Sequence, residues 1–77
     1  MDAKEAKKVD VTIRIEKADV ERFDEIVQAL QQEGLADLQP HKRFGIVNGS
    51  VSADRMEALG RIRGVASVRK DQVYKAQ

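Results

Sequence analysis

Residues 64–77 read Gly64-Val65-Ala66-Ser67-Val68-Arg69-Lys70-Asp71-Gln72-Val73-Tyr74-Lys75-Ala76-Gln77. The glycine is a helix stop. Val65 to Asp71 is a short strand, and the chain then runs on as an extended tail that never returns to a helix. A strand placed here, after a helix, has to join a sheet made from earlier segments. The fold therefore turns on what those segments are.

Working back from Gly64, Met56, Leu59 and Ile62 form the apolar stripe of a short helix. Ser52 is its expected N-cap, and Asp54 stands in the first turn where the helix dipole favours an anion. Gly60 inside that helix costs about 1 kcal/mol relative to alanine. Before it, Phe44-Gly45-Ile46-Val47-Asn48-Gly49-Ser50-Val51 is a strand whose two glycines suggest a bulge or a close backbone approach. Residues 35–43 contain Leu35 and Leu38 but also Pro40, which cannot donate to a ladder; an edge or irregular strand is expected. Val20, Phe23, Ile26, Val27 and Leu30 make one helical stripe, with Asp19 as the expected N-cap and Gly34 as the stop. Val9, Val11, Ile13 and Ile15 alternate with Asp10, Thr12 and Arg14, the period of a half-buried strand. Residues 1–8 read as a flexible leader, and residues 9–77 as a single domain.

The order is β-α-β-β-α-β. One sheet with two helices on one face and right-handed crossovers gives a ferredoxin-like α+β fold: a four-stranded antiparallel sheet with the second and fourth strands at its edges.

Composition narrows the function. A chain of 77 residues builds a modest core, and with no cysteine it has no disulfide or thiolate metal site to staple it. No apolar run approaches the roughly 18 residues of a membrane span. The first eight residues lack the apolar stretch of a signal peptide, so the expected compartment is the cytoplasm. Residues 1–38 carry a net charge of −4 and residues 39–77 a net charge of +5. A solvated face is the ordinary meaning of such a split, and scattered cations with few aromatics argue against nucleic acid.

The chemistry of an enzyme is missing from the pattern. His41 is the single histidine and stands in Pro40-His41-Lys42-Arg43, without a second ligand nearby. No glycine-rich phosphate loop joins a strand to a helix. Carboxylate pairs such as Asp24-Glu25 belong to a solvated helix face. The outer face of the first strand offers Asp10, Thr12 and Arg14 rather than the aromatics that stack RNA bases. The expectation is a non-enzymatic protein with no metal and no cofactor.

Three segments then carry a resemblance. Ser52-Ala53-Asp54-Arg55-Met56-Glu57-Ala58-Leu59 followed by Gly64-Val65-Ala66-Ser67-Val68 and Asp71-Gln72-Val73 resembles the second half of subtilisin propeptides and of the stand-alone protease inhibitors related to them. The first half is similar in pattern only, so the resemblance spans roughly residues 9–77. It implies a sheet that packs on two helices of a subtilisin-like serine protease, with the tail laid in the substrate cleft as an added strand. Carried onto this chain, Asp71 would precede the cleft segment and Val73 would enter it. Tyr74 would fill a large apolar pocket, Lys75 and Ala76 the exposed and small positions, and Gln77 the first specificity pocket. Where the family often places acidic residues after the second valine of the last strand, this chain has Arg69 and Lys70; only Asp71 keeps the acidic character. Two cations there would oppose positive helix ends.

The alternative reading is a regulatory or assembly domain that forms a homodimer or larger assembly through its sheet or edge strands, with no protease partner. A third is anion or nucleic-acid binding through Lys42, Arg43, Arg61, Arg63, Arg69 and Lys70.

Overall fold

The computed structural model describes residues 8–71. Four strands, β1 (Lys8–Ile15), β2 (Ala36–His41), β3 (Ile46–Ser52) and β4 (Val65–Lys70), form one antiparallel sheet in the order β2-β3-β1-β4. Two α-helices, α1 (Phe23–Gln32) and α2 (Met56–Gly60), complete the βαββαβ order expected of a ferredoxin-like α+β domain. The second and fourth strands are the edges, as that topology requires.

The sheet has two unlike faces because its strands alternate. Val11, Ile13 and Ile15 of β1 and Val47 and Val51 of β3 are buried, together with Phe23, Ile26 and Leu30 of α1, Leu35, and Leu59 of α2. Both helices therefore cover the same face. The other face carries Asp10, Thr12 and Arg14, opposite Ser50, Asn48 and Ile46 of β3. Among the described residues no helix lies over it.

The helix starts differ from the sequence expectation. Asp19 does not cap α1: it lies within a 3-10 turn over Lys17–Arg22, and Glu16, at the cap position, makes no side-chain cap hydrogen bond. The apolar stripe consequently begins at Phe23, while Val20 is left 36% exposed on the turn. Ser52 does precede a helical segment, but its hydroxyl makes no cap bond, and another 3-10 turn, Ala53–Arg55, comes before α2. That helix ends at Gly60, ahead of the stop expected at Gly64. Phe44 falls outside β3, in a 3-10 turn over Lys42–Phe44. Lys8, read as the last leader residue, is the first residue of β1.

The end of α1 is built as the sequence reads. Gly34 has φ +113°, its N–H donates to the Gln31 carbonyl, and the Leu35 N–H donates back to the Leu30 carbonyl at 3.0 Å. Together these bonds satisfy carbonyls that the last turn would leave free, and Leu35 packs into the core beside Leu30.

β2 is the irregular strand anticipated for residues 35–43. Its register against β3 shifts between Ala36 and Gln39, and Asp37 within the shift takes φ +52°. That bulge turns Asp37 onto the same side as Ser50, whose hydroxyl donates to Asp37 Oδ2 at 3.2 Å. Pro40 sits on this edge strand opposite Val47.

Candidate functional site

The helix-free face of the sheet is where the polar side chains of this chain converge. Register decides which of them meet. Thr12 at the centre of β1 is paired with Asn48 on β3 and with Arg69 on β4. Asn48 Nδ2 donates to Thr12 Oγ1 at 2.9 Å, and Thr12 Oγ1 donates to Asp71 Oδ1 at 2.7 Å. Asp71 is held a second time, by its backbone N–H donating to the Asp10 carbonyl at 2.8 Å. One hydroxyl, acting as acceptor and donor, thus joins β1 to β3 and to Asp71, the residue that follows β4.

This line of hydrogen bonds divides two shallow depressions. One, of about 420 Å³, is lined by Thr12, Arg14, Ile46, Ser67 and Arg69. The other, of about 330 Å³, is lined by Asp10, Asp37, Gln39, Asn48, Gly49 and Asp71. The first is cationic and the second anionic. Ion pairs elsewhere join Arg22 to Asp19 and Glu25, Lys42 to Asp24, Arg55 to Glu33, and Arg61 to Glu57. Those pairs lie on the turns and helices, and among the described residues none involves Arg14, Arg69, Asp10, Asp37 or Asp71. Within the described residues the open face therefore carries its charges separated by sign rather than neutralised in place.

Of the residues singled out for partner binding, Asp71 is placed on this face at the anionic end. Val73, Tyr74, Lys75, Ala76 and Gln77 lie outside the described residues. Arg69 and Lys70, adjacent in sequence, are sent to opposite sides: Arg69 is opposite Thr12 on the open face, whereas Lys70 is opposite the core residue Val11. Only one of the two cations therefore belongs to the open face. The candidate anion-binding set is likewise divided. Lys42 and Arg43 occupy the turn after β2, Arg61 and Arg63 follow α2, and Arg61 faces Glu57 at 3.9 Å. The arginine that does share a depression with Arg69 is Arg14, which that set omitted. His41 is exposed at the end of β2, opposite Ile46.

Sequence reasoning missed the convergence of Asp10, Asp37 and Asp71. Alternation along β1 identified Asp10 as outward, but Asp37 reaches the same depression only through the β2 bulge. Among the described residues no group of three or more His, Cys, Asp or Glu is arranged to hold a metal ion, and no helix is long and apolar enough to cross a membrane.

The central hydroxyl gives a direct test of how the exit of β4 is held. Thr12→Val keeps the β-branched shape but removes both side-chain hydrogen bonds. It is expected to cost about 1–2 kcal/mol in urea unfolding, and to speed amide hydrogen exchange at Asp71 more than at Ile13, whose ladder is untouched.

Comparison with family models, with curated proteins and with solved structures finds no match to this chain.

Proposed function

We propose that this chain is a non-enzymatic, propeptide-like binding domain. It inhibits a subtilisin-type serine protease, or assists its folding, by setting its sheet on the protease surface and laying its tail in the substrate cleft. The observation that carries this reading is the way β4 ends. β4 is an edge strand, and Asp71 is anchored to β1 by both its backbone and its side chain. Asp71 is thereby a fixed point at the margin of the open face, immediately before the tail in sequence. A segment that follows such a point can add as a strand to a cleft, where backbone hydrogen bonds supply affinity and alternate side chains supply specificity. Tyr74, a rigid aromatic with few rotamers to lose, suits the role of principal anchor.

The charge on the face supports the same reading. Asp10, Asp37 and Asp71 line one depression of this face, and carboxylates there complement the positive N-termini of helices. Lys70 is directed away from that surface, which leaves Arg69 as the single β4 cation that a docking partner meets.

Inhibition of a subtilisin by the full chain, compared with a chain lacking residues 73–77, tests the proposal. Inhibition at micromolar concentration or below is expected for the full chain, with at least about a hundredfold loss on truncation, equivalent to about 2.7 kcal/mol. Absence of inhibition, or inhibition indifferent to the truncation, would overturn it.

A further inference from the structure

The open face carries both signs of charge, and their arrangement is self-complementary. Along β1, Asp10 and Arg14 stand about 7 Å to either side of Thr12 on one face, from the rise of a strand. Asp71 on β4 and Asp37 on β2 extend the anionic end. Arg69 beside Thr12 extends the cationic depression, and His41 on β2 lies level with Arg14 through their shared neighbour Ile46.

We propose that this face pairs two copies of the chain, sheet against sheet, about a two-fold axis that crosses the strands near Thr12 and Asn48. Such an axis exchanges the two ends of the face. Arg14 of each copy then lies over Asp10 of the other and His41 lies over Asp37, while Arg69, level with Thr12 on β4, lies near the axis. A two-fold contact uses one patch twice, so the patch has to complement itself; this one does so by charge.

The choice of occupant rests on the sign pattern. A small anion satisfies Arg14 and Arg69 but is repelled from the neighbouring depression. A cation has the opposite difficulty. A partner of one net sign meets repulsion over part of the face, whereas a second copy satisfies both ends in a single register. The lining is mainly polar, with Ile46 as its one large apolar side chain. Association of this kind depends on charge rather than on apolar area, and is therefore weak and salt-sensitive. It does not rest on the protease reading, since the chain alone is sufficient to show it. It adds a consequence to that reading: the dimer would cover the face that docks, and the free inhibitor would be the monomer.

Sedimentation equilibrium of the full chain tests the proposal. At low ionic strength a reversible dimer is expected, dissociating as salt is raised to about 0.3 M, where charges more than roughly 6 Å apart are screened. Arg14→Asp and Asp10→Arg each place like charges against one another across the axis, so each variant alone is expected to be monomeric. Mixed in equal amounts they are expected to form a heterodimer, because each substituted position then faces its opposite in both pairs. Both positions are solvent-exposed, and unchanged circular dichroism establishes that the variants are folded. A wild-type chain that remains monomeric at low salt, a dimer unaffected by either reversal, or two folded variants that stay apart on mixing would each overturn the proposal. None of these outcomes bears on inhibition by the tail, which is read separately by truncation.

Discussion

Gly49→Ala is expected to cost about 2–3 kcal/mol in urea unfolding, a large share of the roughly 4–11 kcal/mol typical for a chain of this length. A Cβ at this position would lie 2.8 Å from the Ala36 carbonyl oxygen and 2.9 and 3.0 Å from Leu35 Cγ and Cδ1. None of those atoms can retreat cheaply. Leu35 is 2% exposed and wedged between α1 and the sheet. The Ala36 carbonyl is backbone, held by the pairing of Ala36 with Ser50 on one side and by the bulge at Asp37 on the other. On the far side Gly49 is paired with Val11, which is fully buried. The added methyl therefore has to push β2 outward, and with it Asp37. The expected signature is a lower urea midpoint with an unchanged slope, together with loss of amide protection over β2 before the other strands. An alanine variant as stable as the parent would show that β2 is not packed this closely on β3.

Phe23→Ala is expected to cost more, about 3–5 kcal/mol. At 4–8 °C per kcal/mol for a small domain, that corresponds to a fall of roughly 12–40 °C in Tm. Phe23 heads the set of fully buried side chains and is the first residue of α1, placed where the preceding 3-10 turn gives way to the α-helix. Removing it opens a cavity at the junction of two elements in a core that holds ten buried apolar residues among the described ones, and the chain has no disulfide to restrain the collapse. The internal control is the other phenylalanine. Phe44 is 70% exposed on its 3-10 turn, and Phe44→Ala is expected to change stability by no more than about 0.5 kcal/mol. Thermal melts of the two variants side by side check both statements. Equal effects would contradict the placement of one ring inside the core and the other outside it.

The contrast between these rings shows how far the sequence could be read. Phe23 falls on a stripe with Ile26, Val27 and Leu30, and that spacing was sufficient to bury it. Phe44 precedes a run of strand-forming residues, and nothing local says whether the strand has begun; pairing with β1 and β2 begins it at Ile46. The same limit appears at the helix starts. Asp19 and Ser52 are good capping residues by type, yet Asp19 lies inside a 3-10 turn and Ser52 just before one, and neither caps an α-helix. Capping preference is a property of a residue, whereas each α-helix here is entered through a 3-10 turn and begins only after it, at Phe23 and at Met56. Pro40 and, in β3, Gly49 were more informative. A proline marks an edge strand, and Gly49 marks the close approach of Ala36, because both effects act on the backbone of the residue itself.

The order of the elements, the two edge strands, the polar face of β1 and nearly all of the core were legible in the chain before any contact was known. They depend on the two- and 3.6-residue periods, which are local. The candidate site was not legible in that way. Asn48 and Thr12 are separated by 36 residues, and Thr12 and Asp71 by 59. Whether their side chains touch depends on the registers of β1 with β3 and β4, and a slip of one residue would turn each pair to opposite faces. The same registers send Arg69 to the open face and Lys70 behind it, bring Arg14 beside Arg69, and gather Asp10 with Asp71. The β2 bulge adds Asp37. Charge along this chain reads as an acidic half followed by a basic half. On the folded sheet it becomes an anionic end and a cationic end of one surface, because strand pairing sorts residues by register and not by their order in the chain.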